Sequence, residues 1–227
     1  MKIVIAQDSF KGSLSAIEVS KSIEKGIKKA IPHAETVLLP MADGGEGTME
    51  TLVATTGGYK KKVIVTGPLG QKIEAEYGVL GDLETCVIEA ASSSGINLVD
   101  TTELNPLIAT TFGVGELIKA ALDDGFKKFI IGLGGSATND GGAGMLQALG
   151  MKILDGQGNQ ISFGGGELIK IKEIDIREFD KRVAESMFII ASDVQNPMIG
   201  IEGASHVFGP QKGATPSIVI QLDEGMT

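Results

Sequence analysis

Residues suited to chemistry gather in a few polar, glycine-rich loops. The richest is Gly132-Leu133-Gly134-Gly135-Ser136-Ala137-Thr138-Asn139-Asp140-Gly141-Gly142-Ala143-Gly144. It stands between a strand-like run and a helical one, where free backbone N–H groups and the helix dipole attract an anion. Glycines such as Gly134 and Gly135 let the backbone approach phosphate oxygens, while Ser136, Thr138 and Asn139 add polar side chains. Asp140 could hold Mg²⁺ or a water bound to it; the alternative is a tight turn that Asp140 caps. The same stretch contains Gly132-x-Gly134-x-x-Ala137, with Asp155 after the next strand. That pattern resembles a dinucleotide fingerprint, so an NAD(P)-dependent oxidoreductase is a second reading.

Four more loops carry charge. Asp8-Ser9-Phe10-Lys11-Gly12-Ser13 follows the first strand-like run, where ligands of open α/β sheets bind. Lys11 offers a point charge for a carboxylate or phosphate, and Asp8 a ligand for a metal or hydroxyl; an ion pair at a helix entry is the alternative. Asp43-Gly44-Gly45-Glu46-Gly47-Thr48 could orient a polyol or hydrated cation through Asp43 and Glu46, or simply start a helix. Asp193 lies just beyond a strand-like run, placed to act as a base toward a substrate hydroxyl, or to form an Asx-turn. Phe208-Gly209-Pro210-Gln211-Lys212-Gly213 brings a cation, Lys212, to a helix start. No Gly-x-x-x-x-Gly-Lys-Ser/Thr sequence occurs, which excludes a P-loop kinase.

The elements that must position these loops alternate between strand and helix periods. A strand over 2–6 leads to the capping box Ser15-Ala16-Ile17-Glu18 and a helix stopped by Pro32. A strand over 36–39 and a helix over 48–54 complete a βαβα opening. Short β-rich segments follow over 63–65, 73–80 and 85–89, and this change of pattern places a domain boundary near Thr66. A helix over 115–124, a strand over 128–132, a helix over 143–149 and a strand over 151–154 come next. Residues 155–159 form a turn, 188–191 a strand, and Thr215-Pro216 caps a last helix.

Composition narrows the function. Lys and Arg number 20 against 29 Asp and Glu, a net charge of −9 without basic clusters, which argues against nucleic acid. Apolar runs are strand-sized, far short of a membrane span, and no signal peptide is visible, so a cytoplasmic protein is expected. One cysteine, Cys86, excludes an internal disulfide framework. Glycine, 32 of 227 residues, is about twice its usual ~7% share. Few aromatics accompany it, as expected where backbone rather than side chains meets a ligand.

Several blocks together, in order, resemble the first type of bacterial glycerate kinase: DSFKGSLS at 8–15, MADGGEGT at 41–48, NPLIATTFGVG at 105–115, IGLGGSATNDGGAGMLQALG at 131–150 and VFGPQKGATP at 207–216. The resemblance covers essentially the whole chain. It implies an α/β protein with a Rossmann-like parallel-sheet domain, begun by residues 1–66, and an inserted α/β domain with a mixed sheet at 67–227. It also implies transfer of the ATP γ-phosphate to D-glycerate with Mg²⁺, usually giving 2-phosphoglycerate. On that footing Asp193, Lys11 and Asp8 are the expected catalytic residues. Ser9, Asp43, Glu46, Gly134, Gly135, Ser136, Thr138, Asn139 and Lys212 are expected to bind substrate or nucleotide, and Asp140 the metal. The expected partners are ATP and D-glycerate, with a homo-oligomer left open and neither nucleic acid nor membrane. Two departures stand out. Gln7 replaces a usual proline, and members continue well beyond residue 227, so only part of the Rossmann-like domain is expected here. A shortened chain that binds ligand without turnover is a third reading.

Overall fold

The computed structural model describes residues 1–227 apart from Lys11, Gly12 and Glu46. Strand β1 (Lys2–Ile5), helix α1 (Ala16–Ala30) and strand β2 (Glu35–Leu38) form the first βαβ unit. β1 and β2 pair in parallel, from Lys2↔Glu35 to Ile5↔Leu38. The capping box holds as expected: the Ser15 hydroxyl accepts from Glu18 N–H, and the Glu18 carboxylate accepts from Ser15 N–H at 2.9 Å. Helix α2 (Thr48–Thr56) follows and stops at Gly57.

Strands β3 (Tyr59–Thr66), β4 (Lys72–Val79) and β5 (Thr85–Glu89) come next, then helices α3 (Ala90–Ser94) and α4 (Phe112–Asp123). Beyond them lie β6 (Lys128–Gly132), α5 (Ala143–Ala148), β7 (Lys152–Leu154), β8 (Glu173–Asp175), α6 (Lys181–Ala184), β9 (Met187–Ala191), α7 (Ala204–Phe208) and α8 (Pro216–Gly225). Five strands join in the order β3-β4-β5-β6-β9, antiparallel up to β5 and parallel from β5 through β6 to β9. The protein is therefore mixed α/β, with one two-stranded parallel sheet and one larger mixed sheet.

Alternation along the strands assigns each face of the large sheet. Val87 and Ile130 meet Met49 and Val53 of α2 on one face. Cys86, Ile88, Phe129 and Ile131 turn to the other, where Val114, Leu117, Ile118 and Ala121 of α4 cover them. The Phe129 and Phe188 rings stack there, with centroids 4.7 Å apart.

Strand pairing bears on two of the expectations. A boundary near Thr66 would cut the β3–β4 hairpin, whose strands pair from Tyr59↔Val79 to Thr66↔Lys72. By strand pairing, β3 belongs to the large sheet. The dinucleotide fingerprint fails as well, because it needs β6, α5 and β7 in one βαβ unit. Instead β7 pairs antiparallel with β8 in a separate sheet. Asp155 turns back on its own loop and accepts from the Gln157 and Asn159 N–H groups at 2.8 and 2.9 Å.

A candidate active-site cleft at the strand ends

The three parallel strands of the large sheet end in register, with Glu89, Gly132 and Ala191 side by side. Chain leaving β6 and β9 there meets chain leaving β1 and β2, enclosing a cleft of about 990 Å³. Asp8, Ser9, Asp43, Gly134, Gly135, Ser136, Asp193 and Lys212 all line it. Residues from five separate loops are thus brought to one place. Lys11 and Glu46 lie outside the described residues.

The loops meet backbone to backbone, and glycine makes that approach possible. A Cβ at Gly44 would stand 2.7 Å from the Ala191 carbonyl oxygen, one at Gly132 2.7 Å from the Gly44 carbonyl oxygen, and one at Gly134 2.7 Å from Gly45 Cα. Gly134 N–H also donates to the Gly44 carbonyl at 3.4 Å. Gly44 and Gly45 are therefore seated on the ends of β6 and β9. Local bonds shape this stretch: Gly45 N–H donates to Asp43 Oδ1 at 2.9 Å and Gly44 N–H to Thr48 Oγ1 at 3.1 Å.

Among the described residues, Lys212 is the cation that lines the cleft. It is 8% exposed, and its ammonium donates to the Thr138 carbonyl at 2.5 Å and to Ser136 Oγ at 3.1 Å. Burial pushes its pKa down from 10.5 to about 8, opposed by the charge of Asp140. Among the described residues four carboxylates line the cleft, Asp8, Asp43, Glu50 and Asp193. Asp8 accepts from Ser9 N–H at 2.6 Å, Asp43 shapes its loop, and Asp193 is exposed.

Thr138, Asn139 and Asp140 are buried beneath the cleft rather than lining it. Asn139 Nδ2 donates to Ser205 Oγ of α7 at 2.9 Å, tying the glycine loop to the segment that brings Lys212. Asp140 is 2% exposed and accepts from Thr111 N–H (2.9 Å), Thr111 Oγ1 (2.8 Å), Gly142 N–H (3.1 Å) and Gly144 N–H (3.3 Å). Its charge thus joins the starts of α4 and α5, where helix dipoles favour an anion. Its carboxylate accepts from both loops that lead into these helices.

Among the described residues no group of three or more His, Cys, Asp or Glu side chains is placed to hold a metal ion. Mg²⁺ does not require one, since it commonly takes one or two carboxylates together with substrate phosphates and water. Asp8, Asp43 and Asp193 supply oxygen donors of that kind. Sequence reasoning missed Glu89, which closes β5 7% exposed and takes the Met49 N–H at 2.7 Å. A carboxylate ending an otherwise apolar strand was the available signal. Gln211 and Ser192 were also missed as cleft residues.

Glycine loops, carboxylates and a buried ammonium converge here at the carboxyl ends of parallel strands, the place where open α/β folds form ligand crevices. Comparison with known proteins identifies the family. The glycerate kinase family matches residues 3–227. The chain is 51% identical over 227 residues to glycerate 2-kinase of Escherichia coli (strain K12), covering 100% of this chain and 60% of that protein. It is 52% identical over 227 residues to a glycerate kinase of Bacillus subtilis (strain 168), covering 100% of this chain and 59% of the relative. A crystal structure assigned as glycerate kinase 2 from Salmonella typhimurium LT2 superposes with a TM-score of 0.91 at 52% identity, over 100% of this chain and 60% of that one. The chain belongs to the glycerate kinase family, and it spans about 60% of the length of these relatives.

Proposed function

We propose that the protein transfers the γ-phosphoryl group of ATP to a hydroxyl of D-glycerate, giving 2-phosphoglycerate. The observation that carries this reading is the convergence of Asp8, Asp43, Ser136, Asp193 and Lys212 on one strand-end cleft. Family membership, and a relative named glycerate 2-kinase, support both the substrate and the hydroxyl.

Phosphoryl transfer asks a protein mainly for positioning and charge stabilisation. Asp193 is the base: its exposed carboxylate takes the proton of the glycerate hydroxyl as that oxygen bonds to the γ-phosphorus and the bond to ADP breaks. Lys212 stabilises charge on the transferring group or on the glycerate carboxylate, while Ser136 and the 134–136 backbone bind phosphate oxygens. Asp8 and Asp43 are the carboxylates that would hold a bound Mg²⁺, which would neutralise charge on the ATP phosphates. By residue type and loop position, Lys11 is the second cation that would neutralise developing phosphate charge or the glycerate carboxylate, and Glu46 would orient the substrate.

Phosphorus NMR with MgATP and D-glycerate tests the reading, with L-glycerate as control. A new phosphomonoester from the D-isomer supports it, and its coupling to carbon-bound protons identifies the hydroxyl. Unchanged ATP refutes turnover by these residues and favours a chain that binds ligand without transferring phosphate.

A further inference from the structure

The row Glu89–Gly132–Ala191 ends the three parallel strands, and its middle and outer members touch the 43–47 loop through backbone. Glu89 reaches the helix that follows this loop with its side chain. Its Cγ lies 3.7 Å from where a Gly132 Cβ would stand, and its Oε1 accepts the Met49 N–H at 2.7 Å in the first turn of α2. That helix start needs an outside acceptor, because its N-cap is Gly47, which has no side chain with which to cap it. Glu89 stands outside the residues that line the cleft. A carboxylate buried to this degree is costly unless hydrogen-bonded, and a capping hydrogen bond reaching from a strand 40 residues away fixes one end of a loop whose other face forms the cleft.

We propose that Glu89 is a positioning residue: by capping α2 from the centre of the sheet it holds the 43–47 loop against Gly134 and the end of β9, and so sets where Asp43 stands relative to Ser136 and Asp193. The kinetic consequence rests on the glycerate kinase reading; the structural consequence does not. A loop that shifts by about an ångström misplaces reacting groups enough to cost up to about 100-fold in rate. Glutamine keeps an acceptor oxygen at the same reach, whereas aspartate keeps the charge but falls one methylene short.

The test compares Glu89→Ala, Glu89→Asp and Glu89→Gln in the intact protein, using hydrogen-exchange mass spectrometry over residues 44–52 and steady-state kinetics per folded molecule well below the melting temperature. Alanine and aspartate should speed exchange over 44–52 by about tenfold and lower kcat/KM by about 10- to 100-fold, while glutamine restores most of both. If alanine does not fold, aspartate against glutamine decides the matter. Parental exchange in the aspartate variant overturns the proposal. So does faster exchange with parental kcat and KM, which would mark a merely structural cap, or a glutamine variant as impaired as aspartate. Should the parent itself make no glycerate phosphate, the functional reading fails, and the exchange measurement still decides the role of Glu89.

Discussion

Replacing Lys212 with methionine separates what the buried ammonium costs the fold from what it does for function. Lysine in the unfolded chain titrates near 10.5, and burial in the cleft lowers this to about 8. Below pH 8 both states hold the proton, so the fold carries the full cost of burying the charge. Between about 8 and 10.5 the unfolded chain binds more protons than the folded one, so stability rises with pH across that window. The whole difference is worth about 3 kcal/mol, of which about 2 kcal/mol is recovered between pH 7 and pH 9.5. Lys212→Met removes this titration and keeps most of the side-chain volume. It also removes the hydrogen bonds to the Thr138 carbonyl and Ser136 Oγ, a loss that is the same at every pH. The stability of the parent relative to the variant should therefore increase by about 2 kcal/mol from pH 7 to pH 9.5, read from urea unfolding at both values. A difference that stays flat across this range would refute the argument from burial. An anion bound beside the ammonium favours its charged form, so ligand binding near pH 8 should draw in a proton. Calorimetry in buffers of different ionisation enthalpy reads that uptake, and the variant should lose it.

Asp193→Asn should lower turnover by roughly 10²- to 10⁴-fold with an unchanged melting temperature, since the side chain is exposed; a fully active variant rejects it as the base. Asp140→Ala should cost about 3 kcal/mol in urea unfolding, because it leaves the Thr111, Gly142 and Gly144 N–H groups and the Thr111 hydroxyl without their acceptor. A loss below 1 kcal/mol, on the order of one ordinary hydrogen bond, would contradict that role. Gly134→Ala should reduce kcat/KM by roughly 100-fold, its Cβ meeting Gly45 Cα at 2.7 Å, as judged by steady-state assays. Gly26→Ala, in the interior of α1 with nothing within 4 Å of the new Cβ, should leave turnover alone and add about 0.5–1 kcal/mol of stability.

Local signals were the ones legible in the sequence. The Ser15–Glu18 capping box, the Thr215 cap with Pro216 behind it and the strand runs at 85–89 and 128–132 depend on neighbours along the chain, and each appears in the structure. The short elements β8, α6 and α7 carry only three to five residues, too few for a period to show. The destination of β7 was hidden for a different reason. A strand–glycine loop–helix–strand string looks the same whether its second strand rejoins the sheet or leaves it, and only the pairing with β8 distinguishes them. Side-chain direction was equally silent. Asp140 and Lys212 both sit in polar glycine loops, yet one is turned under two helix starts and the other lines the cleft.

The glycine excess has a physical reason that no single motif supplied. Three chain segments, leaving β2, β6 and β9, are stacked so closely that a Cβ at Gly44, Gly132 or Gly134 would enter the backbone of its neighbour. Side chains cannot hold such a stack from within, because there is no room for them. The forces that keep it in place must come from its borders, and they do: Glu89 and Thr48 bind from below, and the Asn139–Ser205 bond ties the adjoining glycine loop to α7. The residues that make the cleft precise are therefore buried polar ones outside it. Substitutions there should alter the placement of Asp43 and Lys212 while leaving every cleft-lining side chain unchanged, which sets them apart from direct changes at Asp193 in a comparison of kcat against KM.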